Sequence, residues 1–178
     1  MPALWTPDEL VALALEVSEE GMRAGELPVG AVVVLGDQVI GRAYTQERTQ
    51  GRRLVHADLL AMEQADRRLG WKARERPLVL AVTLEPCLMC LGAAMALGVS
   101  EVYFGLEAPD DGAAGVGSVW RPTRQDMSFS RLPAVTGGYR RDDCRDQFRH
   151  YAATASNASL RRYADSMAAL PDDPGWAP

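Results

Sequence analysis

Histidine and cysteine are scarce in this chain: His56 and His150, with Cys87, Cys90 and Cys144, are all that 178 residues contain. Three cysteines cannot build a disulfide framework, and a mixed Cys/His metal centre must recruit one of the two histidines or turn to carboxylates. Long apolar runs are missing as well. None approaches the roughly 20 residues that span a bilayer. The start, Met1 to Asp8, has neither the basic stretch nor the apolar stretch of a secretion signal, so a cytoplasmic protein without membrane association is expected. Positive charge is not in excess either, because a net charge of −5 argues against a general binder of nucleic acid or anionic membrane. Lysine is nearly absent, with Lys72 alone among 19 basic residues, a bias that carries no functional reading.

What is present is the balance of a globular chain: 47% hydrophobic and 24% charged residues at a length that suits one domain with a sizeable core. Leu10, Leu13, Ala14, Val17 and Met22 recur at helical spacing behind Thr6-Pro7-Asp8, which predicts an amphipathic helix over 8–24. Val29 to Leu35 and Gln38 to Tyr44, joined by Gly36-Asp37, predict a hairpin, followed by a polar loop from Thr45 to Arg53. A helix is expected from His56 to Leu69, closed by Gly70, then a buried strand from Leu78 to Thr83. Pro86 opens a helix with an apolar face of Leu88, Leu91, Ala94, Met95 and Leu97, stopped by Gly98 and followed by a strand over Val99 to Phe104. Gly105 to Ser118 is a long glycine-rich loop of the kind that serves a site or a partner. Helices are expected over 140–154 and 157–170, and the tail from Pro171 to Pro178 is read as disordered. Helices alternating with strands after an initial hairpin predict a layered α/β fold with partly parallel pairing.

Two thiols one helical turn apart stand at the start of the third of these helices, in Pro86-Cys87-Leu88-Met89-Cys90. Free backbone N–H groups favour thiolates there, and two thiolates so held bind a metal or each other. A redox pair and two merely packed cysteines are the alternatives. His56-Ala57-Asp58 opens the preceding helix, and an imidazole with two thiolates makes a three-ligand zinc site whose fourth position is left to water, as in a catalytic centre. Zinc-bound water has its pKa lowered toward about 7, and Asp58 is the carboxylate placed to take its proton. Cys144 and His150 are read as a packed thiol and a surface histidine.

With both half-motifs in hand, the chain resembles the cytidine-deaminase-like zinc deaminases, whose signature is H-x-E with P-C-x-x-C. It is most similar to the bacterial tRNA adenosine deaminases, with nucleoside and guanine deaminases near. The likeness runs from residue 8 to about 154 and includes Glu26 to Val33, Val39-Ile40-Gly41, Thr83 to Cys87 and Gly112 to Gly115. It implies a three-layer α-β-α fold with a mixed, about five-stranded sheet, one zinc per chain on His56, Cys87 and Cys90, release of an exocyclic amine as ammonia, and a homodimer. The uncharged helix from Leu88 to Leu97 is a second reason to expect the dimer. The division expected is a catalytic domain over 1–155 and a C-terminal helical extension and tail over 156–178.

Departures from the family pattern bear on the substrate. Where the tRNA enzymes have an aromatic residue followed by a base-gripping asparagine, this chain has Tyr44 and Thr45. Arg52-Arg53-Leu54-Val55 replaces their usual Asp-Pro-Thr-Ala, and Glu107, Asp110 and Asp111 put acids where phosphates would lie. The first expectation is therefore a deaminase of a small nucleobase, nucleoside or related amino-heterocycle. A tRNA wobble-adenosine deaminase comes second, disfavoured by the acids, and a non-catalytic zinc-stabilised module third. Val29 and Tyr44 are expected to pack the ring and Thr45 to meet its polar edge, with Ala57 and Pro86 lining the pocket and Phe148 or Tyr151 closing it. Asp58 stands where the family has glutamate, which leaves an adapted site, an impaired or engineered one, or a non-catalytic relative. The reading preferred here is a pocket compacted around aspartate.

Overall fold

Gly30-Ala31-Val32-Val33-Val34-Leu35 is apolar on both faces of a strand, and this strand, β1, lies inside the sheet with both faces covered. In a computed structural model, which describes residues 5–71, 75–124, 126, 127, 129 and 131–174, β1 (Gly30–Leu35) pairs antiparallel with β2 (Gln38–Tyr44) on one edge. On its other edge it pairs antiparallel with β3 (Leu78–Leu84). β3 runs parallel to β4 (Glu101–Leu106), and β4 parallel to β5 (Ala134–Thr136). The sheet order is β2-β1-β3-β4-β5, the mixed five-stranded sheet that was expected.

Helices cover both faces. α1 (Pro7–Arg23) opens with a reciprocal capping box between Thr6 and Glu9, and it shares one face of the sheet with the later helix α5 (Arg141–Thr154). Between them in sequence come α2 (Glu47–Gln50), α3 (Ala57–Leu69) and α4 (Leu88–Leu97); α5 (Arg141–Thr154) and α6 (Ala158–Ala168) follow β5. Leu10, Val11 and Val17 of α1 and Phe148 of α5 meet Val32, Val34 and Ala81 on one side. Ala61, Met62 and Ala65 of α3 and Cys90 and Ala94 of α4 meet Val33, Leu80, Val82 and Phe104 on the other. Close approach needs small residues: a Cβ at Gly41 of β2 would overlap the Ala61 carbonyl oxygen of α3. Ala164 and Met167 of α6 join the core on the α1 and α5 side.

Four local expectations change. The strand expected from Val99 starts at Glu101, because left-handed Gly98 turns the chain and the Val99 N–H still bonds back to Ala94. The polar loop after β2 holds α2, whose free N–H groups at Arg48 and Thr49 donate to the buried Glu26 carboxylate at 3.1 and 2.7 Å. Gly105 belongs to β4, and the glycine-rich segment ends in a 3-10 turn over Ala114–Ser118. The tail is not free at its start: Arg141 donates to the carbonyls of Pro171 and Asp172, and Arg145 to Leu170. Residues 175–178 of that tail lie outside the described residues. Among the described residues no helix is long and apolar enough to cross a membrane.

Candidate metal centre and cavity

β2 and β3 both run antiparallel to β1, so they are parallel to each other, and the helices that follow them start along the same edge of the sheet. His56 is the N-cap of α3 and Cys87 the N-cap of α4, each in extended backbone. Cap residues hold their side chains clear of the first turn, and Cys90 stands one turn beyond Cys87 inside α4, which is how residues 31 and 34 positions apart come to face one another. His56 Nδ1 lies 3.6 Å from Cys87 Sγ and 3.7 Å from Cys90 Sγ. A tetrahedral zinc with ordinary Zn–N and Zn–S bonds separates nitrogen from sulfur by about 3.6 Å, so the three donors fit that ion. They form the His/Cys/Cys group able to hold a metal among the described residues.

The far side of the imidazole is also provided for. His56 Nε2 is 3.8 Å from Glu47 Oε1, on the short α2 that Glu26 caps. Thr45 donates from Oγ1 to the other Glu47 oxygen at 3.3 Å. Protons are shared unequally in the cluster. Hydrogen bonding from Cys90 in the first place holds the Cys87 thiol down at about 4. The resulting Cys87 thiolate raises His56 to about 9, and its hydrogen bond to Cys90 pushes that thiol well up. Asp58 follows in the first turn of α3, only 4% exposed, with a carboxyl raised by burial against the opposing hydrogen bond from Cys90.

A cavity of about 430 Å³ opens over this group. Val29, Thr45 and Ala57 line it with His56, Asp58 and Cys87. Tyr44 does not: side chains alternate along a strand, and with Thr45 facing the cavity Tyr44 turns to α1 and lies over Gly21. Pro86 is buried and is not among the cavity's lining; its carbonyl accepts from the Ala113 N–H at 2.9 Å. Phe148 and Tyr151 do not close the pocket, because α5 packs on the α1 side of the sheet. Phe148 is fully buried there, and the Tyr151 hydroxyl donates to the Gly25 carbonyl at 3.3 Å. Leu160 and Tyr163 of α6 take their place on the cavity wall. Cys144 is buried and His150 exposed, the packed thiol and surface histidine that were expected.

Carboxylates that the motifs did not single out organise the rim. Glu85 accepts from the N–H groups of Ala108 and Ala114 at 3.0 and 2.9 Å and so fastens the loop that brings Asp110 and Asp111 to the cavity. Gly112 is where it is because a Cβ would run into the Glu85 carboxylate. Glu107, at the loop's start, takes two hydrogen bonds from the buried Arg141 guanidinium, at 2.8 and 2.5 Å. Burial works to raise the Glu107 carboxyl, but Arg141 outweighs it and the pKa ends below the usual carboxylate range. A signal for α6 exists in Leu160, Tyr163, Ala164 and Met167, spaced as a helix face that must pack on something.

The model of the cytidine and deoxycytidylate deaminase zinc-binding region matches residues 6–106, a span that contains all three donors and Asp58. The chain belongs to this family. The chain is 34% identical over 141 residues to a tRNA-specific adenosine deaminase of Bacillus subtilis, covering 78% of the chain and 84% of that protein. It is similar to a solved structure from work on A-to-I editing by tRNA:A34 deaminases at the wobble position, with a TM-score of 0.65, 31% identity, and 78% of this chain against 97% of that one. A guanine deaminase from Nitrosomonas europaea has the same fold at 21% identity and a TM-score of 0.66, over 85% of this chain and 87% of that one.

Proposed function

We propose that this deaminase removes an exocyclic amine, as ammonia, from a nucleobase, with His56, Cys87 and Cys90 holding one zinc. The observation that carries the reading is the three-donor group at tetrahedral spacing with a buried carboxylate, Asp58, on the floor of the same cavity. Zinc bound there would supply a water activated near neutral pH. Asp58 is the group that moves protons: its carboxyl, raised by burial, takes one from the attacking water and returns it to the nitrogen of the leaving amine. Val29 and Ala57 offer apolar surface to the ring. Thr45 spends its one hydroxyl proton on Glu47 and so presents an acceptor to the substrate's N–H edge. Glu47 holds the imidazole of His56 in orientation from behind.

Two carriers of the base compete. Similarity favours adenosine in a tRNA, since a relative 34% identical and a solved structure 31% identical to this chain are named for that reaction, and it ranks this reading ahead of the small heterocycle placed first from the sequence. The small heterocycle keeps one specific support, the carboxylates and the α6 residues that bound the cavity. Ammonia release from zinc-loaded protein, measured on an anticodon stem-loop and on adenine, guanine, cytosine, their nucleosides and amino-triazines, separates the two. Silence across that panel would defeat the proposal. We also propose a homodimer through α4, which has no charged residue and leaves Leu88 63% exposed.

A further inference from the structure

The cavity lining contains five carboxylates, those of Glu47, Asp58, Glu85, Asp110 and Asp111, and no arginine or lysine among the described residues. Asp58 lies on the floor and Glu85 accepts from two backbone N–H groups, so Asp110 and Asp111 of the loop are the acids that the phosphates of a polynucleotide meet, and acids repel them. The wall beside the acids is α6, and it is fixed at both ends. Asn157 caps its start, accepting from the N–H groups of Ser159 and Leu160 at 3.0 Å each. Beyond its end, Arg141 and Arg145 hold the carbonyls of Leu170, Pro171 and Asp172, and Arg145 also meets the Asp172 carboxylate at 2.7 Å. Arg141 is itself locked by Glu107, so the acid loop and the end of α6 share one anchor. In the middle, Tyr163 is set edge-to-face on the fully buried Phe148, with ring centroids 6.1 Å apart.

From this arrangement we propose that Leu160 and Tyr163 are specificity-determining residues: they make α6 a wall that admits a free base or nucleoside and discriminates against one embedded in a polynucleotide. The inference rests on the deaminase reading above and, because of the cavity wall, takes the second of its two carriers, the free base or nucleoside, against the tRNA adenosine that similarity ranks first. Side chains that narrow an entrance select by steric exclusion, and trimming them relaxes the selection without touching the reacting groups.

The test compares the zinc-replete wild type with Tyr163→Phe, Tyr163→Ala, Leu160→Ala and the double alanine variant. Two quantities are read: the ratio of kcat/KM on an anticodon stem-loop to that on the free nucleoside, and the Kd of a labelled stem-loop for each protein carrying Asp58→Asn in addition. The double variant is expected to raise the ratio and tighten the Kd by about tenfold, with smaller shifts in the singles and none in Tyr163→Phe. Leu160→Ala keeps the test alive if Tyr163→Ala fails to fold. An unchanged ratio and Kd in a folded double variant would overturn the inference, as would a wild type that prefers the stem-loop and binds it more weakly once the wall is trimmed. Absence of turnover in every protein would sink the deaminase reading alone, since the stem-loop Kd still decides whether the wall excludes RNA.

Discussion

Asp58 is one methylene shorter than the glutamate of the H-x-E pattern, which draws its carboxylate back by about 1.5 Å. It nonetheless lines the cavity from the first turn of α3, next to the donor group, and we propose that the pocket is compacted around aspartate. Asp58→Asn and Asp58→Ala are expected to abolish ammonia release while zinc content persists, and Asp58→Glu to lower the rate by crowding the water. A faster Asp58→Glu enzyme would mark the natural site as impaired. The donors themselves make a separate expectation. Without metal, His56 is protonated up to about pH 9, Cys87 is deprotonated down to about 4, and Cys90 keeps its proton. Zinc uptake at pH 7.5 must therefore expel about two protons, from His56 and Cys90, and weaken as pH falls; calorimetric titration in buffers of different ionisation enthalpy counts them. At this scale the sequence was most informative, because two short motifs name the donors and Asp58 by chemistry alone. Glu47 was not legible: its role comes from a one-turn helix fastened by Glu26, a contact between residues far apart in the chain. Replacing Glu47 by alanine is expected to weaken zinc binding about tenfold in competition with a chelator.

Among the elements, those with strong periodicity were foreseen, and those defined by their neighbours were not. α1, β1, β2, α3 and α4 each carry a pattern and a stop signal of their own, down to the left-handed Gly98. β5 is three residues long and exists only because β4 offers it an edge, which no local pattern announces. The assignment of the pocket's closure to α5 failed for a related reason: aromatic residues at helical spacing reveal that a helix packs, and which face of the sheet receives it is a matter of topology. The packing of α3 on β2 gives a direct test. Gly41→Ala forces a methyl group into the Ala61 carbonyl, and a loss of roughly 1–3 kcal/mol is expected from urea unfolding, with reduced metal affinity because α3 carries His56. Gly51→Ala, where a Cβ meets nothing within 4 Å but the backbone has a positive φ, should cost less and leave metal binding unchanged.

For the molecule as a whole, the buried Arg141–Glu107 pair joins the acid loop, α5 and the segment after α6. Removing one partner strands the other's charge, so Arg141→Ala is expected to cost about 3–5 kcal/mol. Glu107 is lowered in the folded protein, so its contribution is complete above the unfolded carboxylate pKa of about 4.3 and fades as pH falls through its own lower value. Denaturant midpoints of wild type and Arg141→Ala should accordingly converge under acid conditions and differ most at neutral pH. Sedimentation at micromolar concentration tests the proposed dimer, with Leu88→Glu expected to shift it toward monomer while zinc content stays constant.

Order along the chain adds a consequence for how such a protein comes into being. A ribosome delivers His56 first, then Cys87 and Cys90, and α6 only near the end. β2, α3, β3 and α4, which position the three donors, all precede residue 98, whereas Arg141, Arg145, Leu160 and Tyr163, which build and anchor the wall, all follow residue 140. The metal site is thus encoded entirely upstream of the wall that bounds its cavity.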